Sequence, residues 1–172
     1  LSAILEARST AAPQAMSGIA AGEESEQSGA AIIREVGEIA APLDKAAPVF
    51  KPGENVRIDV VVRTRKIGHF FPGGTVDAFD IWLELQAKDA TGKTIFWSGA
   101  RDENNFVDPG AHFYRALQLD AEGNPINKRN AWQARTALYA RMIPPGAADT
   151  VHFLLNIPKD AKGPISLSAR LT

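Results

Sequence analysis

Cysteine is missing altogether from this 172-residue chain, and that one gap closes off a large territory. Without thiols there is no disulfide framework, no thiolate nucleophile, no Cys-ligated zinc, no iron–sulfur cluster and no covalent attachment of c-type haem to these residues. An excess of charge is missing as well: 19 Lys and Arg stand against 20 Asp and Glu, a formal net charge of −1. That balance leaves no broad field to hold phosphate backbones or acidic lipid, so nucleic-acid binding is disfavoured. No apolar run reaches the roughly 18 residues that a membrane-spanning helix needs. Catalytic signatures are absent too, with no G-x-S-x-G, no G-x-G-x-x-G after a strand, no Walker loop and no H-E-x-x-H. Hydrolase, kinase and dehydrogenase readings therefore have no anchor. Nor is there an internal repeat of the kind that marks solenoids or propellers.

What is present suits a single domain, since a chain of this length buries about 70% of its unfolded surface without needing metal or disulfide staples. Residues 1–29 stand apart, being rich in Ala, Ser, Gly and Glu, with little to bury. The spacing of Leu1, Ile4, Leu5 and Arg8 predicts a short helix ending near Pro13, and 22–29 (GEESEQSG) reads as a solvated linker. The division expected is a linker or remnant helix over 1–29 and a β-sandwich over 30–172. The chain opens on Leu1, with no basic stretch leading into an apolar run, and reads as a fragment of something longer.

From Ala30 onward, short apolar runs alternate with Gly, Pro, Asp and Asn, which is the punctuation of successive strands. In 56–63 (VRIDVVVR), Val56, Ile58, Val60 and Val62 fall on one face and Arg57, Asp59 and Arg63 on the other. In 81–88, Ile81, Leu83, Leu85 and Ala87 point inward, and Asp89-Ala90-Thr91-Gly92 turns the chain into Thr94 to Trp97 as a hairpin. Phe113 to Leu119 reads as a strand, and 131–142 mixes helix and strand signals but is assigned strand from its context. Val151, Phe153, Leu155 and Ile157 alternate with His152, Leu154 and Asn156, and Ile165, Leu167, Ala169 and Leu171 with polar Ser166, Ser168 and Arg170. Seven to nine short strands predict an all-β, antiparallel two-sheet sandwich of immunoglobulin-like or jelly-roll kind, with a short helical or irregular N-terminal segment.

Two loops concentrate the polar chemistry. Gly68-His69-Phe70-Phe71-Pro72-Gly73-Gly74 breaks the alternation between two strands, and His69 at the strand end could ligate a metal or a haem iron, with Asp77 and Asp80 following. The plainer reading is a well-packed loop whose His bonds to backbone. The second loop, Arg101 to His112, carries Asp102, Glu103 and Asp108 beside two Asn, an oxygen-rich set suited to calcium but without EF-hand spacing. Its plainer reading is a polar turn. His112 approaches His69 if both loops share one end of the sandwich. His152 falls on a polar face and is expected in solvent. Trp82, Trp97 and Trp132 either stack against sugars or fill and rim the core, the latter being preferred.

The pattern V-x-V-V-V-R, then G-H-x-F-P-x-G, Asp77, a W-L-E strand, Asp89-Ala90-x-Gly92, Ser98-Gly99, Asp102, Ala111-His112, Asp120-x-x-Gly123-x-Pro125-Ile126 and Ile143-x-Pro145-Gly146 resembles the β-rich domain that follows the haem-binding region in bacterial multihaem c-type cytochromes. The CxxCH motifs that fix haem in that family are not in this chain. The resemblance implies an extracytoplasmic (periplasmic or cell-surface) accessory domain of an electron-transfer protein, non-catalytic, with haem c in the parent protein. Its partners would be the haem-binding domain of the same polypeptide or a redox partner protein. It implies His69, and after it His112, as cofactor-binding residues. A different class of function, a recognition domain of an exported protein binding carbohydrate or protein, would use calcium held by Asp77, Asp102 and Asp108. A metal-dependent enzyme built on His69, Asp77 and His112 is the third reading.

Overall fold

The computed structural model describes residues 39–74, 76, 79–126 and 130–172, together with the backbone of 2–7. Ten strands lie within them: β1 (Ser2–Ala7), β2 (Ile39–Ala40), β3 (Asn55–Arg63), β4 (Ile81–Lys88), β5 (Thr94–Ser98), β6 (His112–Tyr114), β7 (Ala116–Leu119), β8 (Thr136–Ala140), β9 (Ala148–Asn156) and β10 (Ser166–Leu171). One sheet has the order β2-β1-β3-β9. The other has the order β10-β4-β5, with β6 also on β4, and β7 and β8 form a separate two-stranded ribbon. All pairings between named strands are antiparallel.

The alternation read from the sequence sets the core between the two sheets. Val56, Ile58, Val60 and Val62 of β3 are all buried, as are Leu83, Leu85 and Ala87 of β4 and Val151 and Leu155 of β9. Phe96 of β5 meets Phe153 of β9 edge-to-face across the sandwich, with ring centroids 6.2 Å apart. Each large aliphatic side chain withdrawn from water in this way is worth about 1.5–3 kcal/mol. Strand β4 shares one edge with β10 and divides the other between β6, at Ile81 to Leu83, and β5, at Leu85 to Lys88. The predicted hairpin is present: Asp89 Oδ1 accepts from the Thr91 and Lys93 amides at 2.9 and 3.0 Å, and Gly92 takes φ 83°.

Polar residues on the wet face of β3 and β9 are paired. Asp59 and His152 lie opposite each other, with Asp59 Oδ1 2.7 Å from His152 Nδ1, and Arg57 Nε donates to the same oxygen at 2.8 Å. His152 is mostly in solvent, as expected. Burial pushes the Asp59 carboxyl up, but the bonds and charges of Arg57 and His152 outweigh it and hold the group below the usual carboxylate range.

The structure departs from the sequence reading at three places. Ser2–Ala7 is a strand and not the start of a helix, pairing with β3 from Ser2↔Val61 to Ala7↔Val56. A lone helix of a dozen residues is marginal in water, whereas this edge of β3 offers a complete ladder partner. The sandwich therefore draws on residues before position 30. The expected linker over 22–29 lies outside the described residues. Phe113 to Leu119 is two strands and not one, broken at Arg115, whose guanidinium sits 4.1 Å from the Phe113 ring centroid and donates to Asp80 at 3.2 Å. Within 131–142 a short 3-10 turn, Ala131–Gln133, precedes β8.

Candidate functional site

Four segments converge at the end of the sandwich where β3 finishes. Just past β3, buried Thr64 donates its hydroxyl to the Pro144 carbonyl at 2.7 Å, and its amide bonds the Ala147 carbonyl at 3.1 Å. Further on, Phe71 and Ile143 exchange amide-to-carbonyl bonds of 2.8 and 2.7 Å, stitching the His69 loop to the connection between β8 and β9. The Phe71 ring packs edge-on against buried Tyr114 at 5.9 Å, and Tyr114 in turn stacks edge-on with His112 at 5.0 Å. The two histidine-bearing loops thus belong to one end of the fold and are joined through Tyr114.

His69 stands on the exposed crest of its loop, beside Phe70, which is also exposed. Its Nδ1 lies 2.7 Å from the Phe70 carbonyl oxygen. A carbonyl only accepts, so Nδ1 carries the proton, and the Nε2 lone pair is left without a partner among the described residues. The ring lies over Gly73, where an added Cβ would fall 2.5 Å from His69 Cε1 and Nδ1. A residue with no side chain is needed there to seat the imidazole. A backbone-anchored Nδ1–H with Nε2 left unprotonated is the arrangement that metal-bound histidines commonly have.

His112 is placed quite differently. Its Nε2 is 2.9 Å from Asp149 Oδ2, and its Nδ1 is 2.9 Å from Arg141 Nη1. The guanidinium can only donate and the carboxylate only accept, so the ring is neutral, with its proton on Nε2 and both nitrogens engaged. Tyr114 donates its hydroxyl to the same Asp149 oxygen at 3.0 Å. Burial is the largest influence on His112 and lowers its pKa, and the Arg141 charge adds to this against the Asp149 bond. Burial raises Asp149, yet the bonds from His112 and Tyr114 more than compensate, and its carboxyl titrates below the usual range. Burial also raises the Tyr114 phenol, which stays protonated. The result is a cross-link between β6, β9 and the end of β8.

The calcium candidates are held within their own turns. Asp102 Oδ1 accepts from the Asn104 and Phe106 amides at 2.9 and 2.8 Å, and Asp108 Oδ1 from the Gly110 amide at 2.9 Å. Asp77 lies outside the described residues. Among the described residues no group of three or more carboxylates, imidazoles or thiols could hold a metal ion, and no helix is long and apolar enough to cross a membrane. The three tryptophans separate. Trp82 is buried and donates to the Gly99 carbonyl at 2.9 Å, Trp97 is half exposed and donates to Glu84 Oε1 at 3.0 Å, and Trp132 is 77% exposed.

The roles of Asp149 and Arg141 went unnoticed in the sequence. A signal was available for Asp149, which is in phase with Val151, Phe153 and Leu155 on the inward face of β9, where an acid needs a partner.

No protein-family model matches this chain, and no curated protein does. A solved structure is similar in fold. It is a penta-heme cytochrome c552 from Thermochromatium tepidum, 20% identical, with a TM-score of 0.49. The likeness covers 68% of this chain and 28% of that one, so the chain spans well under a third of the cytochrome's length.

Proposed function

We propose that this chain is a non-catalytic docking module of an electron-transfer protein, and that His69 offers its imidazole to a haem iron carried by a neighbouring module. The carrying observation is the seating of His69: an exposed ring, proton fixed on Nδ1 by the Phe70 carbonyl, packed over Gly73, with Nε2 unpartnered among the described residues. The G-H-x-F-P-x-G resemblance to multihaem c-type cytochromes supports the same reading, and carries with it an extracytoplasmic setting and a parent or partner that holds haem c. The donor set fits. A neutral imidazole is a common axial ligand, and the lack of cysteine requires the thioether bonds to be made elsewhere. The haem supplies the redox chemistry when present. This chain orients one nitrogen and holds the loop beneath it.

His112 is the weaker candidate because both of its nitrogens are occupied, and recruiting it would break its bonds to Arg141 or Asp149. The test uses a ferric haem peptide with one axial imidazole and an open sixth position. Added to the full chain, it should pass from a high-spin to a low-spin absorption spectrum. His69→Ala should abolish the change, while His112→Ala and His152→Ala should keep it. A wild-type chain that leaves the spectrum unaltered, or a His69→Ala variant that shifts it equally, refutes the proposal.

A further inference from the structure

Residues 65–70 form an arch whose two feet stand on the same connection between β8 and β9. At one foot Thr64, buried between Arg63 and Arg65, bonds the Pro144 and Ala147 carbonyls. At the other, Phe71 exchanges main-chain bonds with Ile143. Between the feet the chain is exposed at Arg65, Lys66, Gly68, His69 and Phe70, and Arg63, the last residue of β3, is exposed beside them. An extended chain spans at most about 3.6 Å per residue, so the backbones of Lys66 and Arg65 lie within about 11 and 14 Å of that of His69.

The cations of this stretch are uncompensated. Among the described residues no carboxylate, imidazole or aromatic ring engages the side chains of Arg63, Arg65 or Lys66. The arginines nearby are committed elsewhere, Arg115 to Asp80 at 3.2 Å and Arg141 to His112 at 2.9 Å. So are the acids, since Asp80 is held by Arg115, and Asp149 by His112 and Tyr114. The sequence offers no nearer one: no Asp or Glu occurs from Val60 to Val76, nor from Gly123 to Ala148.

The opposite end of the sandwich is built otherwise. There Lys45 follows Asp44, and Lys159 directly precedes Asp160, which takes the Lys93 ammonium at 2.9 Å. Lys66 adds a second observation, because its backbone is left-handed, with φ 58°, a conformation that Gly and Asn take far more readily than Lys. The arch thus keeps a long cationic side chain where the backbone favours a small or amide one, and strain of this kind collects at functional surfaces. Charge names what the arch fits. Uncompensated cations beside an unpartnered imidazole and an exposed Phe70 suit a face that is acidic around an apolar haem edge, and repel a basic one. A clamp on the haem propionates would need oriented donors. Side chains that nothing on this protein orients suit the longer-range attraction of a protein face.

We propose that Arg63, Arg65 and Lys66 form a cationic rim that docks the haem-bearing module through carboxylate side chains surrounding its haem edge, and so brings the iron to His69. The inference rests on the haem reading of His69 and adds what the partner's face must carry. The rim sets the affinity and its dependence on salt, whereas His69 sets the spectrum.

The probes are three forms of the ferric haem peptide, extended by a short run of Glu, of Ser or of Lys, titrated into the full chain and followed by absorption and by calorimetry up to millimolar peptide. At low salt the Glu form should bind about tenfold more tightly than the Ser form, the worth of a few exposed ion pairs together, and the Lys form more weakly still. Screening at about 0.5 M salt should bring the three together. Combining Arg63→Gln, Arg65→Gln and Lys66→Gln should do the same at low salt while leaving the low-spin end point intact. Lys159→Gln with Lys162→Gln, at the far end, should keep the Glu preference, and so should esterifying the haem propionates. His69→Ala should remove the low-spin spectrum but keep the preference in calorimetry, which separates failure of the rim from failure of the ligand. The proposal is overturned by no heat with any form, by equal binding of the Glu and Lys forms at low salt, by a Glu preference that survives the triple substitution or falls equally with the distant pair, or by one that vanishes on esterification.

Discussion

Replacing Phe71 by Ala is the sharpest test of how the His69 loop is held. A fully buried Phe→Ala change costs about 3–5 kcal/mol. Phe71 is only partly buried, packed against the core cluster and edge-on to Tyr114, and its two main-chain bonds to Ile143 survive the substitution. The expected loss is therefore smaller, about 2–3 kcal/mol. With a urea slope of roughly 2 kcal/mol/M for a protein of this size, the unfolding midpoint should fall by about 1 M with the slope unchanged. Phe70→Ala, next along but half exposed, should change stability by no more than about 0.5 kcal/mol. A double-mutant cycle of Phe71→Ala with Tyr114→Leu should return about 0.5–1.5 kcal/mol for the ring pair. If Phe71→Ala unfolds with the parent's midpoint, or no earlier than Phe70→Ala, the loop is not pinned through this ring and the account of the site fails.

Acid stability gives a second test. His112 has a lowered pKa in the fold, so the unfolded chain binds the proton more readily, and the stability from its neutral form is complete above about pH 6.5 and lost as pH falls below it. Asp149 and Asp59, also lowered, contribute above about pH 3.8 and lose their share at still lower pH. Melting temperatures should therefore decline in two stages on acidification, and His112→Gln should remove the first. A first stage that persists unchanged in that variant assigns it to another group. A third test is Gly73→Ala, which drives a methyl against the His69 ring and should weaken the haem-peptide spectral change severalfold with little effect on the urea midpoint. An unaltered spectral titration would show that the ring does not depend on Gly73.

The sheets were legible because period-2 alternation is a local property: β3, β4, β9 and β10 each advertise one apolar face, and the chain obeys wherever that face meets the other sheet. Leu171 was expected inward and is 36% exposed, since alternation fixes a side chain's face but not how far the opposite sheet extends over it. The N-terminal strand was illegible for a related reason. Leu1, Ile4 and Leu5 have helical spacing, and only the open edge of β3, about fifty residues on, decides otherwise. The asymmetry between the histidines was equally hidden. Gly73 over His69 and Arg141 and Asp149 around His112 are separations of 4, 29 and 37 residues, and nothing near His112 in sequence announces its partners.

Strand β4 can be completed only by residues near position 170, and β3 takes its partner from 148–156. Trp82 and Thr172 even exchange both backbone bonds at 3.0 Å. During synthesis, then, the first half of the sequence emerges with two sticky, half-dressed strands and must wait for the ribosome to release the rest. Loop closure over such distances is slow, and the interval is when the nascent chain is most exposed to mispairing. Clipping the final strand would return the native protein to that vulnerable condition, baring an edge of β4 along Leu83 to Lys88.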